Sequence, residues 1–178
     1  MTSRNTMLAA AIVAVFSLAG CNSQRAPDNG GRTETHAAGR NPQTTGRVCR
    51  LLRDDDPNRG GRKVVYRCSG SAVLASSEAK SLLNPNVLVS FGGAGRVIQS
   101  GLTTRQAANA ANKSDEAACE RAFINAAHKF QETAQARGGS RVSNFHSYYN
   151  RQVLRGGQYD CEVGTFHARV VMRGDIAR

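Results

Sequence analysis

The clearest pattern of apolar and polar positions spans residues 114–149 and predicts a helix followed by a strand. Behind Ser114, a favourable N-cap residue, apolar side chains recur at steps of three and four, the period of a helix with one buried stripe. The stripe consists of Cys119, Phe123, Ala126, Phe130 and Ala134. Gly138 and Gly139 end the helix, because glycine readily adopts the left-handed conformation of a helix C-terminus. We therefore predict a helix over residues 115–137.

The residues after this helix predict two strands of one antiparallel hairpin. Residues 141–149 alternate between two faces, as the side chains of a strand do. Residues 158–176 also alternate, and we interpret them as a single long strand. Residues 150–157 contain a Gly-Gly pair and join the two strands. The predicted helix packs on this hairpin.

The residues before the helix predict shorter elements. Residues 47–75 contain two apolar segments around a turn-rich centre, which predicts a hairpin. A short helix is expected over residues 76–83, and short strands over residues 87–91 and 96–98. Residues 103–112 are polar and alanine-rich, and we expect a loop or a weak helix there. Most of the sheet is therefore expected from the two hairpins.

These elements predict an α+β fold of one domain over residues 47–178. The sheet is expected to be mostly antiparallel, with one long amphipathic helix packed on a face and disulfides bracing the domain. The length of this segment is that of a single domain.

The first twenty residues have the pattern of an export signal. Arg4 precedes an apolar run over residues 7–18, which is too short to span a bilayer. The run ends in Leu-Ala-Gly-Cys at residues 18–21, a sequence that resembles the lipobox of bacterial lipoproteins. That resemblance implies a lipoprotein signal peptide over residues 1–20, cleavage before Cys21, and lipidation of this cysteine.

Lipidation at Cys21 makes a membrane the first expected partner. Several acyl chains on one residue anchor a protein stably, whereas one chain does not. Asn22 follows the cysteine in place of the aspartate that retains enteric lipoproteins at the inner membrane. We therefore expect the outer membrane, with the domain facing the periplasm.

Residues 21–46 are expected to form the lipidated cysteine and a disordered tether. The segment has almost no large apolar side chain, so it cannot bury enough surface to offset the entropy lost on ordering. Fully extended, it would reach on the order of 80 Å. That length would lift the domain away from the lipid surface.

Four cysteines lie in the predicted domain of an exported chain, which favours two disulfides over free thiols. Three pairings are possible. We favour Cys49–Cys68, because folding the first hairpin at its middle places these residues opposite each other. We then favour Cys119–Cys161, which joins the start of the helix to the start of the last strand. No Cys-x-x-Cys spacing supports a metal site or redox catalysis at these residues.

The chain is strongly basic, with 24 Lys and Arg residues against 13 Asp and Glu residues and a formal net charge of +11. Arginine supplies most of this charge, and its planar fork suits phosphate and carboxylate groups. The polyanions of a periplasm are lipid head groups, lipopolysaccharide phosphates and peptidoglycan carboxylates. A genome that favours arginine would give the same composition without any partner. We do not expect nucleic-acid binding, because the 6% of aromatic residues are mostly needed in the core.

Three histidines are candidates for a metal site: His128, His146 and His167. In the hairpin register that pairs Tyr148 with Tyr159, His146 lies opposite Cys161. His167 is then six residues further along the strand, about 20 Å away by strand rise, which is too far for shared coordination. We therefore predict no metal site and no cofactor.

No catalytic set is predicted either. The glycines of residues 92–95 lack the Gly-Lys-Ser/Thr of a phosphate loop and are interpreted as a turn. The acidic residues 54–56 precede a proline and are also interpreted as a turn. No serine has the sequence context of an activated nucleophile. We therefore expect a protein that is not an enzyme.

Several motifs between residues 88 and 176 resemble a group of small exported bacterial proteins often labelled "excinuclease ATPase subunit". These motifs are Phe91-Gly92-Gly93, Thr103-Thr104, residues 114–119, Gly138-Gly139, residues 142–149, Tyr159-Asp160-Cys161 and Gly174-Asp175-Ile176. The label implies a nucleotide-dependent repair enzyme, which the sequence contradicts by lacking a Walker motif and zinc-finger spacing. The order of helix, Gly-Gly, strand and strand is also similar to YbjQ-type domains and to the envelope-stress lipoprotein RcsF. No functional residue carries over from either.

These observations favour a non-enzymatic cell-envelope lipoprotein, a tethered periplasmic module for interaction or stress sensing. Its partner is expected to be an envelope protein or an anionic envelope polymer. The alternative is an envelope module that binds an anion or a metal. An enzyme acting on an envelope polymer is the third reading, and it would need a cleft with paired carboxylates or a nucleophile.

Overall fold

The computed structural model describes residues 48–55 and 61–178. The predicted signal peptide, the lipobox with Cys21, the tether and the turn of the first hairpin lie outside these residues. The strands are β1 (Cys49–Asp55), β2 (Lys63–Ser69), β3 (Leu88–Val89), β4 (Val97–Asn109), β5 (Arg141–Ser147), β6 (Gln158–Val163) and β7 (His167–Ala177). The helices are α1 (Gly70–Ala75), α2 (Ser77–Leu82) and α3 (Asp115–Ala136), and a 3₁₀ turn covers Tyr149–Arg151.

One strand, β7, joins most of the sheet. It pairs with β4 along nearly its whole length, with β6 through residues 168–170, and with β5 through residues 172–177. β2 extends the sheet from β6, and β1 from β2. Only β3 pairs in parallel among the described strands, with β5. The fold is therefore a mostly antiparallel, open sheet with a helix packed against it.

The predicted helix is present as α3, and the side chain of Ser114 caps it by accepting a hydrogen bond from the Ala117 N–H at 3.2 Å. All five residues of the predicted stripe are buried. The buried surface extends beyond that stripe, because α1 packs on the other side of α3. Gly70 allows this approach, since a Cβ there would lie 2.8 Å from the ring of Phe123. The helix is thus enclosed between the sheet and the segment that contains α1 and α2.

Residues 110–112 lie in a loop, as expected, but the expectation of a loop or weak helix is wrong for residues 103–109. This segment forms most of β4, whose residues 102–109 pair one for one with residues 167–174. Alanine, asparagine and glutamine have low strand propensity, but pairing with β7 outweighs it. The pattern did contain a signal, because Leu102 and Ala108 lie toward α3 while Arg105 lies on the opposite face.

The single strand expected over residues 158–176 is also wrong. It is two strands, β6 and β7, joined by a tight turn in which the Gly164 N–H donates to the His167 carbonyl at 2.9 Å. Buried residues fall at odd positions before the turn and at even positions after it, which one continuous strand does not allow. β5 consequently pairs with β7 through residues 172–177, and β6 pairs with β2 and β7, so the expected register that placed Tyr148 opposite Tyr159 does not form.

The first hairpin is present as the antiparallel pair β1 and β2, with Cys49 directly opposite Cys68. Its expected last part differs, because Gly70–Ala75 is helix α1 and not strand. The reason is local, since the side chain of Ser69 accepts a hydrogen bond from the Ala72 N–H and caps a new helix there. The helix expected over residues 76–83 is present as α2.

The prediction of two disulfides is confirmed. Cys49 is bonded to Cys68, and Cys119 to Cys161, which are the two predicted pairs. The first bond joins the edge strand β1 to β2. The second fixes the start of α3 to β6, where both sulfur-bearing residues are fully buried.

Candidate functional site

The sheet has one face under α3 and one face that the described helices leave open. Along β7, the even-numbered residues 168–176 are buried beneath α3, whereas the odd-numbered residues from His167 to Asp175 are exposed or half-buried. We call this second surface the open face. Cross-strand register places Lys63 and Arg67 of β2, Glu162 of β6 and Arg105 of β4 on it. The open face is therefore rich in basic side chains.

Glu162 is the acidic centre of this face. The Tyr149 hydroxyl donates a hydrogen bond to its Oε2 at 2.6 Å, and Arg169 forms an ion pair with its Oε1. The Lys63 ammonium lies 3.5 Å from Oε2. Glu162 and Arg169 are directly opposite each other on β6 and β7, so the strand register itself brings them together.

These contacts keep Glu162 ionised. Burial alone would raise the pKa of Glu162, but the hydrogen bonds from Tyr149 and Arg169 outweigh it, and the pKa lies below its ordinary value. Burial and the bond to the carboxylate raise the pKa of Tyr149 to about 12. At neutral pH the pair is therefore a carboxylate that accepts and a neutral phenol that donates.

Beside Glu162 lies a cavity of about 490 Å³, which we call the tyrosine hollow. Its lining includes Tyr148 and Tyr149, one carboxylate and four basic side chains, giving a formal charge of +3. The basic side chains are Lys63, Arg105, Arg151 and Arg169. Arg105 and Arg151 form no ion pair within the described part of the chain, so their guanidinium groups are available to an anion.

A second cavity of about 350 Å³ lies next to it on the open face and contains Asp175. Asp175 is held by the Gly101 N–H at 2.7 Å and by the side-chain amide of Asn144 at 2.7 Å. The guanidinium of Arg173 lines this cavity and lies 5.1 Å from the centre of the Tyr148 ring. Because Tyr148 lines the first cavity and Arg173 the second, this cation–π contact links the linings of the two cavities.

The backbone beside the tyrosine hollow is strained. Asn150 and Arg151 have φ angles of 51° and 63°, in the left-handed region. Asparagine tolerates this region, but arginine rarely adopts it. The 3₁₀ turn therefore holds the Arg151 side chain at a position that local preference does not favour.

The three histidines considered for a metal site do not converge. His128 lies on the exposed side of α3, with its Nδ1 3.6 Å from Glu132. His146 is opposite Arg173, not Cys161 as expected, because β5 pairs with β7. His167 is exposed at the start of β7. Within residues 48–55 and 61–178, no group of three or more His, Cys, Asp or Glu side chains is placed to hold a metal ion.

The acidic residues 54–56 do not form a turn as a unit. Asp54 and Asp55 belong to β1, and Asp55 pairs with Arg53 at 3.0 Å. Asp56, like the lipidation candidate Cys21, lies outside the described residues. In the described residues, no helix combines the length and apolar character needed to cross a bilayer.

Sequence reasoning did not find the tyrosine hollow. Its cations come from β2, β4, β7 and the turn after β5, and only the register of the folded sheet places them on one face. One local signal was present, because Tyr148 and Tyr149 follow a strand directly and precede Arg151. Two adjacent tyrosines at a strand end are unusual for a core position, where alternation would bury only one.

No protein-family model matches the chain, and neither a curated protein nor a solved structure matches it significantly. A functional assignment therefore depends on the chemistry of the open face and on the targeting pattern at the N-terminus.

Proposed function

We propose that this protein is a non-enzymatic lipoprotein of the cell envelope, whose tethered domain binds an anionic envelope glycan through the open face. Cys21 would carry the lipid and attach the chain to the outer membrane. The domain would face the periplasm. The lipobox-like sequence and the two disulfides, which suit an oxidising compartment, support this placement.

The tyrosine hollow carries the proposal. Its formal charge of +3 includes two arginines, Arg105 and Arg151, without an ion-pair partner among the described residues. Their planar forks donate paired hydrogen bonds to phosphate or carboxylate oxygens. A glycan is favoured over a nucleic acid, because Arg173 covers the ring of Tyr148 and Glu162 holds the hydroxyl of Tyr149. The face of Tyr148 that Arg173 covers is therefore closed to a base, and the Tyr149 ring is fixed in place through its hydroxyl.

We favour binding over catalysis because of the state of Glu162. A general acid or base needs a pKa near the working pH and a proton to exchange. The pKa of Glu162 lies below its ordinary value. Its carboxylate oxygens accept a hydrogen bond from Tyr149 and form ion pairs with Arg169 and Lys63. A carboxylate held in this way serves better to orient cations than to transfer protons.

The direct test is co-sedimentation of the full-length, exported and processed protein, in detergent, with insoluble anionic glycan from the cell envelope. We expect retention at low salt and release as the salt concentration rises toward about 0.5 M, because screening weakens exposed charge contacts. A variant with Arg105→Gln and Arg151→Gln should be retained about tenfold less, since each change removes a charged hydrogen-bond donor.

The matched control is a variant with Lys80→Gln and Lys113→Gln, which lowers the net charge equally at exposed positions off the open face. It should be retained like the natural sequence. Equal loss in both variants would mean that retention follows net charge alone, and it would rule out the open face as the binding surface. Envelope protein captured in place of glycan would also contradict the proposal.

The anchor is tested separately by replacing Cys21 with alanine. The exported natural chain should carry acyl groups, visible as added mass on its N-terminal peptide. The Cys21→Ala chain should carry none and should leave the membrane fraction. Membrane retention of that variant would contradict the lipoprotein assignment.

A further inference from the structure

We propose that the tyrosine hollow is a binding subsite for a phosphate monoester borne by a sugar of the glycan. This inference rests on the proposed function and narrows it from an anionic polymer to one chemical group at one place. The group would lie between Arg105, Arg151 and Arg169.

Strand register supplies the first step of the argument. Arg105 lies opposite Val171 on β7, so Arg105 and Arg169 are diagonal neighbours on the open face. Diagonal Cβ atoms in such a ladder are separated by roughly 7 Å, within reach of two long side chains toward one anion. The two guanidinium groups therefore form a preset pair across β4 and β7.

The third donor comes from outside the sheet. Arg151 lines the same hollow from the turn after β5, and its φ of 63° is an outlier for a residue with a side chain. Strained backbone persists where the surrounding structure fixes it, and it is concentrated at binding sites. Arg151 is thus held on a third side of the hollow, where its guanidinium could donate to a third oxygen of a tetrahedral anion.

Glu162 orients the basic side chains around the hollow. Its single negative charge offsets one of the two neighbouring positive charges, on Lys63 and Arg169. The hydrogen bond from Tyr149 fixes the position of the carboxylate. Its role is therefore to position Arg169 beside Arg105. The hollow keeps a formal charge of +3, with most of it on the three arginines.

Charge and shape favour phosphate over carboxylate. A phosphate monoester carries about −1.5 to −2 at neutral pH and presents three terminal oxygens, whereas a carboxylate carries −1 and presents two. Three arginine forks around one hollow match the first group better. A cavity of about 490 Å³ also has room for the sugar that bears the phosphate.

The experiment is isothermal titration of the full-length protein in detergent with glucose 6-phosphate, and separately with glucuronate as the matched sugar carboxylate. We expect saturable binding of the phosphate, at least about tenfold tighter than that of glucuronate. Arg105→Gln should weaken it about tenfold, while Lys80→Gln should leave it unchanged. Arg151→Asn tolerates the left-handed backbone and should weaken binding to a similar extent.

A positioning role for Glu162 has its own readout. Glu162→Gln should weaken phosphate binding despite raising the net charge, because Arg169 loses its fixed place. A purely electrostatic site would bind more tightly in this variant, which would overturn the positioning role. Circular dichroism and thermal unfolding of each variant establish that it is folded before binding is compared.

The outcomes separate this inference from the proposed function. Glycan co-sedimentation without saturable binding of glucose 6-phosphate would overturn the subsite and leave the envelope module standing. Loss of both would overturn both. Equal affinity for glucuronate would overturn the preference for phosphate. Binding to phosphatidic acid vesicles that is tighter than binding to glucose 6-phosphate would replace the sugar by a lipid head group as the source.

Discussion

The side-chain amide of Asn125 on α3 donates a hydrogen bond to the backbone carbonyl of Ala107 on β4 at 2.9 Å. Ala107 is one of the β4 residues whose backbone groups point away from β7. The carbonyl of Val171 accepts a hydrogen bond from the Tyr148 N–H on the side of β7 opposite β4. The backbone N–H and C=O groups of odd-numbered β7 residues therefore point away from β4, and those of their partners on β4 point away from β7. Among the described strands β4 pairs only with β7, so the helix contacts the other edge of β4, where strands of other chains would otherwise pair.

Replacing Asn125 with alanine should lower the free energy of unfolding by about 0.5–1.5 kcal/mol, because it removes one hydrogen bond that is only partly shielded from water. It should also increase self-association, since the Ala107 carbonyl becomes available to another chain. Urea unfolding and sedimentation velocity measure the two effects. Gln135→Ala, an exposed change on the same helix, is the control and should alter neither. A strictly monomeric Asn125→Ala protein at high concentration would contradict the edge-covering role.

Replacing Glu162 with glutamine should lower the free energy of unfolding by about 1–3 kcal/mol at pH 7, because Arg169 and Lys63 lose the negative charge of their ion-pair partner. The pKa of Glu162 in the folded protein is lowered, so its contribution is present above the unfolded pKa of about 4.3 and is lost as the pH falls through the folded pKa. The difference between the two proteins should therefore be constant from about pH 5 to 8 and shrink below about pH 4. Urea unfolding across this range measures it. A difference that persists undiminished at pH 2 would show that ionisation of Glu162 is not its source.

The two disulfides should differ in their access to reductant. Cys49 is half-buried on the edge strand, whereas Cys119 and Cys161 are both 0% exposed. A thiolate must reach a sulfur to attack it, so Cys49–Cys68 should be reduced first under native conditions. Alkylation followed by mass spectrometry gives the order. In 8 M urea, where both bonds are accessible, the preference should disappear; an order that is unchanged there would mean that burial does not control it.

Gly101 should not tolerate a side chain. Its φ is +70°, and a Cβ there would lie 2.9 Å from Nη2 of Arg173, which stacks on Tyr148. Gly101→Ala should cost about 1–2 kcal/mol of stability through left-handed strain, and it should displace the arginine. Thermal unfolding measures the loss. Gly92→Ala is the matched control, because nothing lies within 4 Å of its Cβ, and it should change stability by less than about 0.5 kcal/mol.

The helix could be predicted because its pattern is local in the sequence, and the disulfides because few pairings are possible. Ser114 caps a helix whose apolar period is visible within 22 residues, and four cysteines allow only three pairings. The sheet order could not be predicted in the same way. The last part of β4, Ala107 to Asn109, consists of residues of low strand propensity and is a strand because it pairs with β7, about 60 residues later in the chain.

The candidate site was beyond sequence reasoning for a related reason. A basic composition predicts an anionic partner but not a surface. Glu162 and Arg105 are far apart in the sequence, and they come to one face only because β6 and β4 both lie beside β7. Apolar residues fall at odd positions before Gly164 and at even positions after it. Interpreting this change as a turn would have predicted two strands in place of one and would have placed Arg169 on the open face.

The position of β7 in the chain has a consequence for how the domain is made. β7 follows the six other strands of the described residues, yet β4, β5 and β6 all pair with it. In the export that we propose, the N-terminal side would emerge first, so β4 would have no partner among the described strands, and β5 and β6 only β3 and β2, until β7 had crossed. On that proposal, the sheet would be completed only after β7 had been translocated, which would leave the chain unfolded during passage and make assembly a late event.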